Sequence, residues 1–522
     1  MLKVFVAVGL LVCLCSTLGS VEGGKILVMP VDGSHWLSLK ILVEELSERG
    51  HEMVVLVPEA NFIIKSSDKY TTQTFKVPYT TEDLQGSLNG LKEGITKAPQ
   101  FSDILENIRR LKSFTETQVK GCEMLLYNKP LMKELREKKF DLMLTDPFLP
   151  CGPIIAEAFS LPAIYFLRGI PCELDLQAAQ CPSPPSFVPR FSTGNSDVMT
   201  FPQRVKNMIM VGVESCLCRY IFASFDELSS RYLNKPVTFK EILGNGAIWL
   251  HRYDFTFEYP RPVMPNMVKI GGINCAKKKP LPADLEEFVN GSGEHGFIVF
   301  TLGSMVSDLP EDKAREFFNA FRQIPQRVLW RYTGVVPADA PKNVKLIKWL
   351  PQNDLLAHPK AKLFITHGGT HGIYEGICNG VPMVMIPLFG DQGDNVNRMV
   401  VRGVAETLTM HDTTTEKLLG KIRQVINDKS YKEKMTKLSA IHNDRPIEPL
   451  DLAVFWTEFV LRHGGAEHLR PAAHELNWIQ YHSLDVIGFL LLILVTVVFI
   501  SFKTCMCCFR RCCRKTNKTK KE

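Results

Sequence analysis

The sequence lacks any excess of basic residues outside its last twenty positions. The chain of 522 residues has a formal net charge of +7. Residues 503–522, KTCMCCFRRCCRKTNKTKKE, hold eight Lys or Arg and one Glu, which accounts for all of that charge. The rest of the chain is therefore near neutral and shows no electrostatic footprint for nucleic acid. We expect no nucleic-acid partner.

Several familiar signatures are also missing. There is no Walker motif ending in Lys-Ser or Lys-Thr, and no G-x-G-x-x-G run leading from a strand into a helix, so neither a P-loop nor a dinucleotide-cofactor site is indicated. No repeat of solenoid type is present. Of the 15 cysteines, two lie in the first 15 residues and five in the last twenty, and the eight from Cys122 to Cys378 are scattered. They form no disulfide scaffold, and their pairing cannot be read from the sequence.

Length and composition favour a globular protein of two domains with additional segments. A chain of 522 residues is too long for one ordinary domain, and 45% hydrophobic with 22% charged residues are globular values. The first residues place Lys3 before an apolar run, Val4 to Leu14, that is followed by small residues. This pattern predicts a secretory signal peptide over residues 1–23, with a first buried strand as the alternative.

The carboxyl-terminal end predicts a membrane anchor. Residues 486–502, VIGFLLLILVTVVFISF, contain no charge and no proline, and seventeen helical residues span roughly 25 Å. We expect a transmembrane helix over 484–502 and a cytosolic basic tail over 503–522. A buried core helix is the alternative, but the basic Cys-rich tail does not suit it. The tail cysteines are compositional candidates for palmitoylation.

Two short patterns fit a lumenal body and a tail that faces the cytosol. Asn290-Gly-Ser292 is a glycosylation sequon and would be lumenal. Lys518 and Lys520 near the end resemble the dilysine signals that return membrane proteins to the endoplasmic reticulum. A merely solvated basic tail is the alternative for these lysines.

Apolar runs alternating with amphipathic stretches predict two α/β domains. KILVMPV, a helical pattern ending at Gly50, and MVVLV form a β-α-β unit whose strands are buried on both faces. The same pattern recurs through residues 24–275 and again through 285–445, with a basic, Pro-containing linker over 276–284. Residues 446–483 are expected to return as helices to the first domain. Two facing α/β domains imply a cleft, with ligands at the carboxyl ends of the strands.

Residues 366–375, THGGTHGIYE, predict a phosphate site in the second domain. The strand KLFIT leads into His367, Gly368 and Gly369, and a helix begins near Thr370. A helix amino terminus offers unpaired N–H groups, and glycines let an anion approach the backbone. A turn without a ligand is the alternative.

Other side chains at neighbouring strand ends suit the remaining parts of a nucleotide sugar. Trp349 could stack on a base and Gln352 could contact its edge. Glu375 suits the hydroxyls of a ribose. An acid and an amide, Asp391 and Gln392, suit the hydroxyls of a sugar. The alternative for each of these residues is a purely structural role, in the core, on a solvated helix face or as a turn or cap.

The first domain offers a candidate base. His35 follows the first strand in VDGSHWLSL, and Asp146 ends the apolar run FDLMLTD. An imidazole suits removal of a proton from an acceptor hydroxyl, and a carboxylate would fix its tautomer. Capping or surface exposure is the alternative for His35.

The run from Trp349 to Gln392 resembles the donor-binding signature of UDP-glycosyltransferases, and more narrowly that of the animal UDP-glucuronosyltransferases. DGSHW, DPFLPCG, TGNSDVMTFPQRVKN, FTLGSMV, the single span and the lysine tail extend the resemblance over nearly the whole chain. The resemblance implies the GT-B fold, in which two Rossmann-like domains face each other. It also implies inverting transfer of glucuronic acid from UDP-glucuronate to small lipophilic acceptors such as phenols, steroids or bilirubin-like compounds.

The resemblance also implies roles for single residues. His35 would be the base and Asp146 its partner. His371 stands where many relatives carry Asn, and at this position the chain is similar to the bilirubin- and phenol-handling subfamily. No metal and no cofactor are expected, and self-association in the membrane is implied. The implied donor-binding residues are Ser304, His367 and Gly369 for the diphosphate, Trp349, Gln352 and Arg331 for the base, Glu375 for the ribose, Asp391 and Gln392 for the sugar, and His371.

Three hypotheses remain open at this point. The first is a glucuronosyltransferase of the endoplasmic reticulum lumen. The second is the same fold using UDP-glucose or UDP-N-acetylglucosamine, since the Asp-Gln pair suits all three sugars and the residue that meets a carboxylate cannot be placed. The third is a catalytically inactive, membrane-anchored binding protein. Acceptor specificity is expected in the insertions over 55–125 and 170–220.

Overall fold

A computed structural model describes residues 23–86, 94, 96–97 and 101–516. The first 22 residues of the expected signal peptide lie outside these residues, as do Lys518 and Lys520. The chain divides into two compact units, Met1–Leu469 and Arg470–Glu522.

The first sheet is built from the amino-terminal half of the chain. Its strands are β1 (Lys25–Met29), β2 (Glu52–Pro58), β3 (Thr71–Phe75), β4 (Leu142–Thr145), β5 (Ala163–Leu167), β6 (Ile248–His251) and β7 (Met267–Lys269). They run in the order β3-β2-β1-β4-β5-β6-β7, and all neighbours are parallel. Ile26, Leu27 and Val28 of β1 are fully buried, because helices cover both faces of a parallel sheet.

Among the helices that the structure describes, several accompany this sheet. They are α1 (Ser34–Glu48), α2 (Phe101–Leu126), α3 (Lys129–Glu137), α4 (Cys151–Phe159), α5 (Leu174–Ala178), α6 (Phe201–Leu233) and α7 (Phe239–Leu243). Helix α6 starts at a capping box of Thr200 and Gln203. It is long and apolar enough to cross a membrane. However, its second half packs Ile221, Phe222 and Phe225 into the core of the first domain, so we assign it to the globular body.

The second sheet is built from the following segment. Its strands are β8 (Phe297–Thr301), β9 (Arg327–Arg331), β10 (Val344–Ile347), β11 (Ala361–Thr366), β12 (Met383–Met385) and β13 (Ala405–Thr407). Their order is β10-β9-β8-β11-β12-β13, again all parallel. The accompanying helices are α8 (Ala283–Asn290), α9 (Glu311–Phe321), α10 (Gln352–Ala357), α11 (Thr370–Cys378), α12 (Gln392–Val401), α13 (Thr415–Asn427) and α14 (Lys429–Asn443).

The two sheets confirm the predicted fold, a pair of Rossmann-like domains. Helix α15 (Pro449–His463) belongs to the core of the first domain, where Leu450, Ala453 and Val454 pack with Ile26. A disulfide joins Cys275, just after the first sheet, to Cys378 at the end of α11. Two further disulfides, Cys122–Cys151 and Cys172–Cys218, lie within the first domain.

The second unit contains helices α16 (Trp478–Tyr481) and α17 (Leu484–Thr516). An 18-residue window within Leu484–Cys513 of α17 has a mean hydropathy of 2.8, and the helix has the length of a membrane span, which agrees with the expected apolar helix. The helix continues beyond Phe502, where the sequence suggests a tail. Residues 503–516 contain neither Gly nor Pro, and Lys, Arg and Met are strong helix formers, so nothing in that stretch ends the helix.

Candidate active site

His35 and Asp146 come together because β1 and β4 are neighbours in the first sheet. The strands pair Met29 with Thr145, so the residues that follow their carboxyl ends meet. His35 Nδ1 lies 2.5 Å from Asp146 Oδ2. The carboxylate is 2% exposed and also accepts from the Phe148 N–H at 3.1 Å. A carboxylate on Nδ1 makes that nitrogen the donor and leaves the Nε2 lone pair as an acceptor.

The turn before His35 brings the two domains into contact. Gly33 has a φ of +78°, and a Cβ there would lie 3.2 Å from Met305 Sδ and 3.7 Å from Ser304 Oγ. Glycine therefore serves both a left-handed conformation and a close approach. As a result Ser304, in the loop after β8, lies beside the start of α1. The His35 side chain is 29% exposed.

The His367 ring packs closely against two glycines, Gly303 and Gly369. A Cβ at Gly303 would lie 2.6 Å from its Cε1, and a Cβ at Gly369 would lie 2.5 Å from its Nε2. Burial lowers the pKa of His367 to about 4, the positive charge of Arg331 also lowers it, and Asp391 opposes the shift. The ring is therefore neutral at neutral pH. It stands at the amino terminus of α11, where unpaired N–H groups favour an anion.

The Arg331 guanidinium contacts both the loop after β8 and the ring of Trp349. Its guanidinium donates to the carbonyl of Gly303 and, at 3.3 Å, to that of Ser304. The same group lies 5.1 Å from the centre of the Trp349 ring, which is 51% exposed. Arg331 was expected beside a base. In this structure it contacts protein carbonyls and the back of the exposed aromatic ring.

Glu375 is 4% exposed and is held by two of the other predicted residues. Gln352 Nε2 donates to Glu375 Oε2, and His371 Nε2 lies 3.3 Å from Glu375 Oε1. The other ring nitrogen of His371 lies 2.9 Å from Ser38 Oγ, on α1 of the first domain. A chain of polar contacts thus links the two domains through His371.

Asp391 and Gln392 follow β12 and begin helix α12. Gln392 Oε1 accepts from the N–H groups of Leu388 at 2.8 Å and Phe389 at 3.1 Å. The carbonyl end of this amide therefore stabilises its own loop, and the amino end is the part suited to a ligand. Asp391 Oδ2 accepts from Asn395 Nδ2 at 2.9 Å, so one oxygen of this carboxylate is already oriented.

Sequence reasoning missed Arg252, which follows β6. It is 5% exposed, and its Nη1 donates to Ser38 Oγ at a long 3.4 Å. Its Nε has no hydrogen-bond partner among the residues that the structure describes. Burial lowers its pKa, while Asp146 and Asp391 raise it. An arginine directly after an apolar strand, as in WLHR, was the available signal.

Two further features border the pair formed by His35 and Asp146. The Phe148 ring lies 6.0 Å from the His35 ring, and Phe114 of α2 lies 6.4 Å from Phe148 and is 39% exposed. These aromatic rings form an apolar wall beside the imidazole.

A polar clamp, formed by Asp394, Asn397 and Arg398 of α12, joins this helix to the segment before α6 and to Glu258. Asp394 Oδ2 accepts from the Ser192 N–H at 2.7 Å, and Asn397 Nδ2 donates to the Gly194 carbonyl at 3.2 Å. Arg398 Nε donates to Glu258 at 2.7 Å. Burial raises the pKa of Glu258, but Arg398 and Arg168 more than offset it and hold that pKa well below its usual range. The clamp fixes α12, and with it Asp391 and Gln392, against the first domain.

Asn290, the residue of the expected glycosylation sequon, ends α8 and is exposed. Its Nδ2 donates to Glu286 Oε1 at 2.8 Å. No group of three or more His, Cys, Asp or Glu side chains arranged to hold a metal ion occurs within the described ranges.

Comparison with protein families matches residues 24–519 to the family described as UDP-glucoronosyl and UDP-glucosyl transferase. A UDP-glucuronosyltransferase of Pleuronectes platessa is 56% identical over 472 residues, covering 90% of this chain and all of that protein. UDP-glucuronosyltransferase 1A1 of Homo sapiens is 51% identical over 514 residues, covering 98% of this chain and 96% of that protein.

Solved structures support the fold. The glycosyltransferase VinC, crystallised with DTDP, superposes with a TM-score of 0.57 at 18% identity, covering 84% of this chain and all of that one. The glycosyltransferase SnogD from Streptomyces nogalater gives 0.55 at 15% identity, with coverage of 84% and 100%. At these identities the likeness concerns the fold alone.

Proposed function

The chain belongs to the UDP-glucoronosyl and UDP-glucosyl transferase family, and we propose that it transfers glucuronic acid from UDP-glucuronate to a hydroxyl of a small lipophilic acceptor. Relatives more than half identical over nearly the whole chain are named UDP-glucuronosyltransferase. The proposal includes phenols and bilirubin-like compounds as acceptors and inversion at the anomeric carbon.

The contact between His35 and Asp146 carries this proposal. The acceptor O–H donates to His35 Nε2, and its oxygen attacks the anomeric carbon as the proton moves to the imidazole. Asp146, at 2.5 Å from Nδ1, stabilises the imidazolium that forms. A single displacement with one base gives inversion. The same contact argues against an inactive binding protein, which needs no oriented imidazole.

The second domain binds the leaving UDP in this proposal. The diphosphate lies at the amino terminus of α11, against Gly369, the hydroxyl of Ser304 and neutral His367. Backbone N–H groups there stabilise the negative charge that develops as the bond to the sugar breaks. No metal ion is needed for this step. The uracil stacks on the open face of Trp349 and the ribose reaches Glu375.

Arg252 makes glucuronate the preferred sugar in this proposal. A buried guanidinium whose only described hydrogen bond is 3.4 Å long has donors to spare. A carboxylate satisfies such a group with charge-assisted hydrogen bonds, whereas the hydroxymethyl group of glucose offers one neutral oxygen. Asp391 and Gln392 then bind the ring hydroxyls that all three candidate sugars share.

The acceptor lies against Phe148 and Phe114 in this proposal. Rings beside the imidazole suit a flat lipophilic acceptor and exclude water from the reacting atoms.

The proposal places the protein in the endoplasmic reticulum membrane. Helix α17 anchors it, residues 24–483 face the lumen after signal-peptide removal, and Asn290 carries a glycan. The exposed position of Asn290 and the length and hydropathy of α17 support this topology.

One experiment tests reaction, donor and base together. Permeabilised microsomes that contain the full chain receive a phenol and each of three UDP-sugars, and product masses are followed. We expect a glucuronide from the wild type and a rate about 10²–10⁴ lower from His35→Ala, with UDP binding retained. Product only from UDP-glucose or UDP-N-acetylglucosamine would overturn the donor. Wild-type turnover by His35→Ala would overturn the base.

Arg252→Gln tests the assignment of the donor sugar separately. The control is Arg168→Lys, at a buried arginine that already forms an ion pair with Glu258 at 2.8 Å. Loss of one or two charge-assisted hydrogen bonds, worth about 1.5–3 kcal/mol each, should raise the KM for UDP-glucuronate at least tenfold. The relative use of UDP-glucose should rise at the same time. An unchanged donor preference in Arg252→Gln would contradict the role of Arg252.

A further inference from the structure

The part of α17 beyond Phe502 has two unlike faces. At 100° per residue, Cys505, Cys508 and Cys512 fall on one side of the helix together with Phe509. Lys503, Arg510 and Arg511 fall on the opposite side, together with Cys507. Cys505, Cys507 and Cys508 are free and exposed, and Phe509 is 72% exposed. The segment is therefore an amphipathic extension with thiols and an aromatic ring on one face and basic groups on the other.

The depth of these thiols follows from helix geometry. Residues Leu484–Phe502 of the helix cover about 28 Å, close to the roughly 30 Å of a hydrocarbon core. Cys505 then stands about 4.5 Å past the core, and Cys508 about 9 Å past it. The headgroup region adds about 5–7 Å on each side, so Cys505 lies within it and Cys508 about 2–4 Å beyond its outer edge, within reach of an acyl chain. Basic side chains on the other face are attracted to anionic lipid headgroups.

We propose that Cys505 and Cys508 are sites of S-acylation by long-chain acyl groups. The inference rests on the proposed membrane anchoring, with this end of the helix in the cytosol. There the thiolate attacks the thioester carbonyl of a long-chain acyl-coenzyme A. A new thioester forms on Sγ, and coenzyme A leaves as a thiol with the proton that the cysteine released. No electrons are exchanged, and a membrane-bound acyltransferase is the catalyst required.

The arrangement on the helix decides which thiols are modified. An acyl chain on Cys505 or Cys508 enters the bilayer beside Phe509 and leaves the basic face toward the headgroups. An acyl chain on Cys507 would have to pass the basic face. Cys507 stands about 7.5 Å past the core, between the other two thiols in depth, so it is a control that differs from them in helix face and not in distance from the membrane.

The test is acyl-group exchange on the full chain in cell membranes. Thiols are blocked with N-ethylmaleimide, thioesters are cleaved with neutral hydroxylamine, and the new thiols are coupled to a polyethylene glycol maleimide that retards the protein on a gel. We expect a shift that requires hydroxylamine, persists in Cys507→Ser and is lost in the Cys505→Ser/Cys508→Ser double variant. No hydroxylamine-dependent shift in the wild type, or an undiminished shift in the double variant, would overturn the proposal.

Extraction of the same membranes with alkaline carbonate separates this proposal from the anchoring on which it rests. A chain that stays in the membrane but shows no hydroxylamine-dependent shift is anchored and not acylated, which overturns the acylation alone. A chain that carbonate removes is not anchored by α17, and both proposals fail. Cys216→Ser, at an exposed free thiol of α6, should leave the shift unchanged.

Discussion

Two histidine–aspartate pairs in the described part of the chain have nearly the same internal geometry. His35 Nδ1 lies 2.5 Å from Asp146, and His442 Nδ1 lies 2.6 Å from Asp254. Each carboxylate has at least one other donor. Asp146 accepts from a backbone N–H, and Asp254 accepts from the hydroxyl of Tyr374 at 3.1 Å. Judged by the pair alone, either imidazole would serve as an oriented base.

The two pairs differ in what meets the second ring nitrogen. Arg445 Nη2 lies 2.9 Å from His442 Nε2. Since a guanidinium can only donate, it occupies the lone pair of that nitrogen. The His442 side chain is fully buried, whereas that of His35 is 29% exposed. Within the described part of the chain, no group hydrogen-bonds to His35 Nε2. A free lone pair, more than the carboxylate contact, therefore distinguishes a candidate base from a structural histidine.

The largest expected effect comes from removing one imidazole of each pair. His35→Ala should lower kcat for a phenol by about 10²–10⁴, the usual contribution of a general base, with UDP affinity unchanged. His442→Ala should keep kcat per folded molecule within a factor of about two, because its lone pair is occupied. The measurement is initial rate against the fraction of enzyme that binds UDP. Equal losses of kcat in the two variants would erase the distinction.

A smaller effect is expected from the carboxylates. Asp146→Asn keeps the shape but removes the charge that stabilises an imidazolium, so kcat should fall by no more than the loss of about 10²–10⁴ expected for removing the base itself. Asp254→Asn is the matched change in the other pair and should leave kcat of the folded fraction unaltered. An acidic acceptor, which needs no deprotonation, should react with Asp146→Asn almost as with wild type. If both acceptor classes slowed equally, Asp146 would act on structure and not on proton transfer.

Stability should respond in the opposite sense. His442→Ala leaves Asp254 and Arg445 without their shared partner at the junction of the domains, at a cost of about 2 kcal/mol. His35→Ala removes a partly exposed ring and leaves one buried carboxylate, Asp146, which keeps the Phe148 N–H as a donor, so it should cost about 1 kcal/mol. Thermal inactivation of the detergent-solubilised enzyme measures both. A lower midpoint for His35→Ala than for His442→Ala would contradict the structural role of the buried pair.

The first pair was predictable from sequence and the second was not. Apolar runs ending in His35 and Asp146 indicate parallel strands whose carboxyl ends meet at one edge of a sheet. The same reasoning anticipated the turn at His367 to Gly369. Asp254 and His442 are 188 residues apart, and no local pattern brings a loop after β6 to a helix after the second sheet.

Other parts of the site depended on long-range packing in the same way. Arg252 follows β6, and its one described side-chain hydrogen bond goes to Ser38 on α1. The local sequence around Arg252 could not show how few partners this packing leaves it. Gln352 was expected beside a base, and its contact with Glu375 appears only once α10 and α11 are packed together. The disulfide between Cys275 and Cys378 likewise follows from where the chain leaves the first sheet, which scattered cysteines do not indicate.

The smallest expected effect concerns a third histidine, which has no carboxylate partner in hydrogen-bonding contact among the described residues. Burial lowers the pKa of His367 to about 4 from its ordinary value of 6.5. Its charge therefore does not change between pH 8 and pH 5.5, and its contribution to the affinity for UDP-glucuronate should be constant over that range. Wild type and His367→Gln should then give parallel plots of donor affinity against pH by calorimetry. A rise in the wild-type affinity for UDP-glucuronate between pH 7 and pH 5.5 that is absent in His367→Gln would contradict this prediction. It would mean that the His367 imidazole becomes protonated in that range, which requires access to water or to a carboxylate.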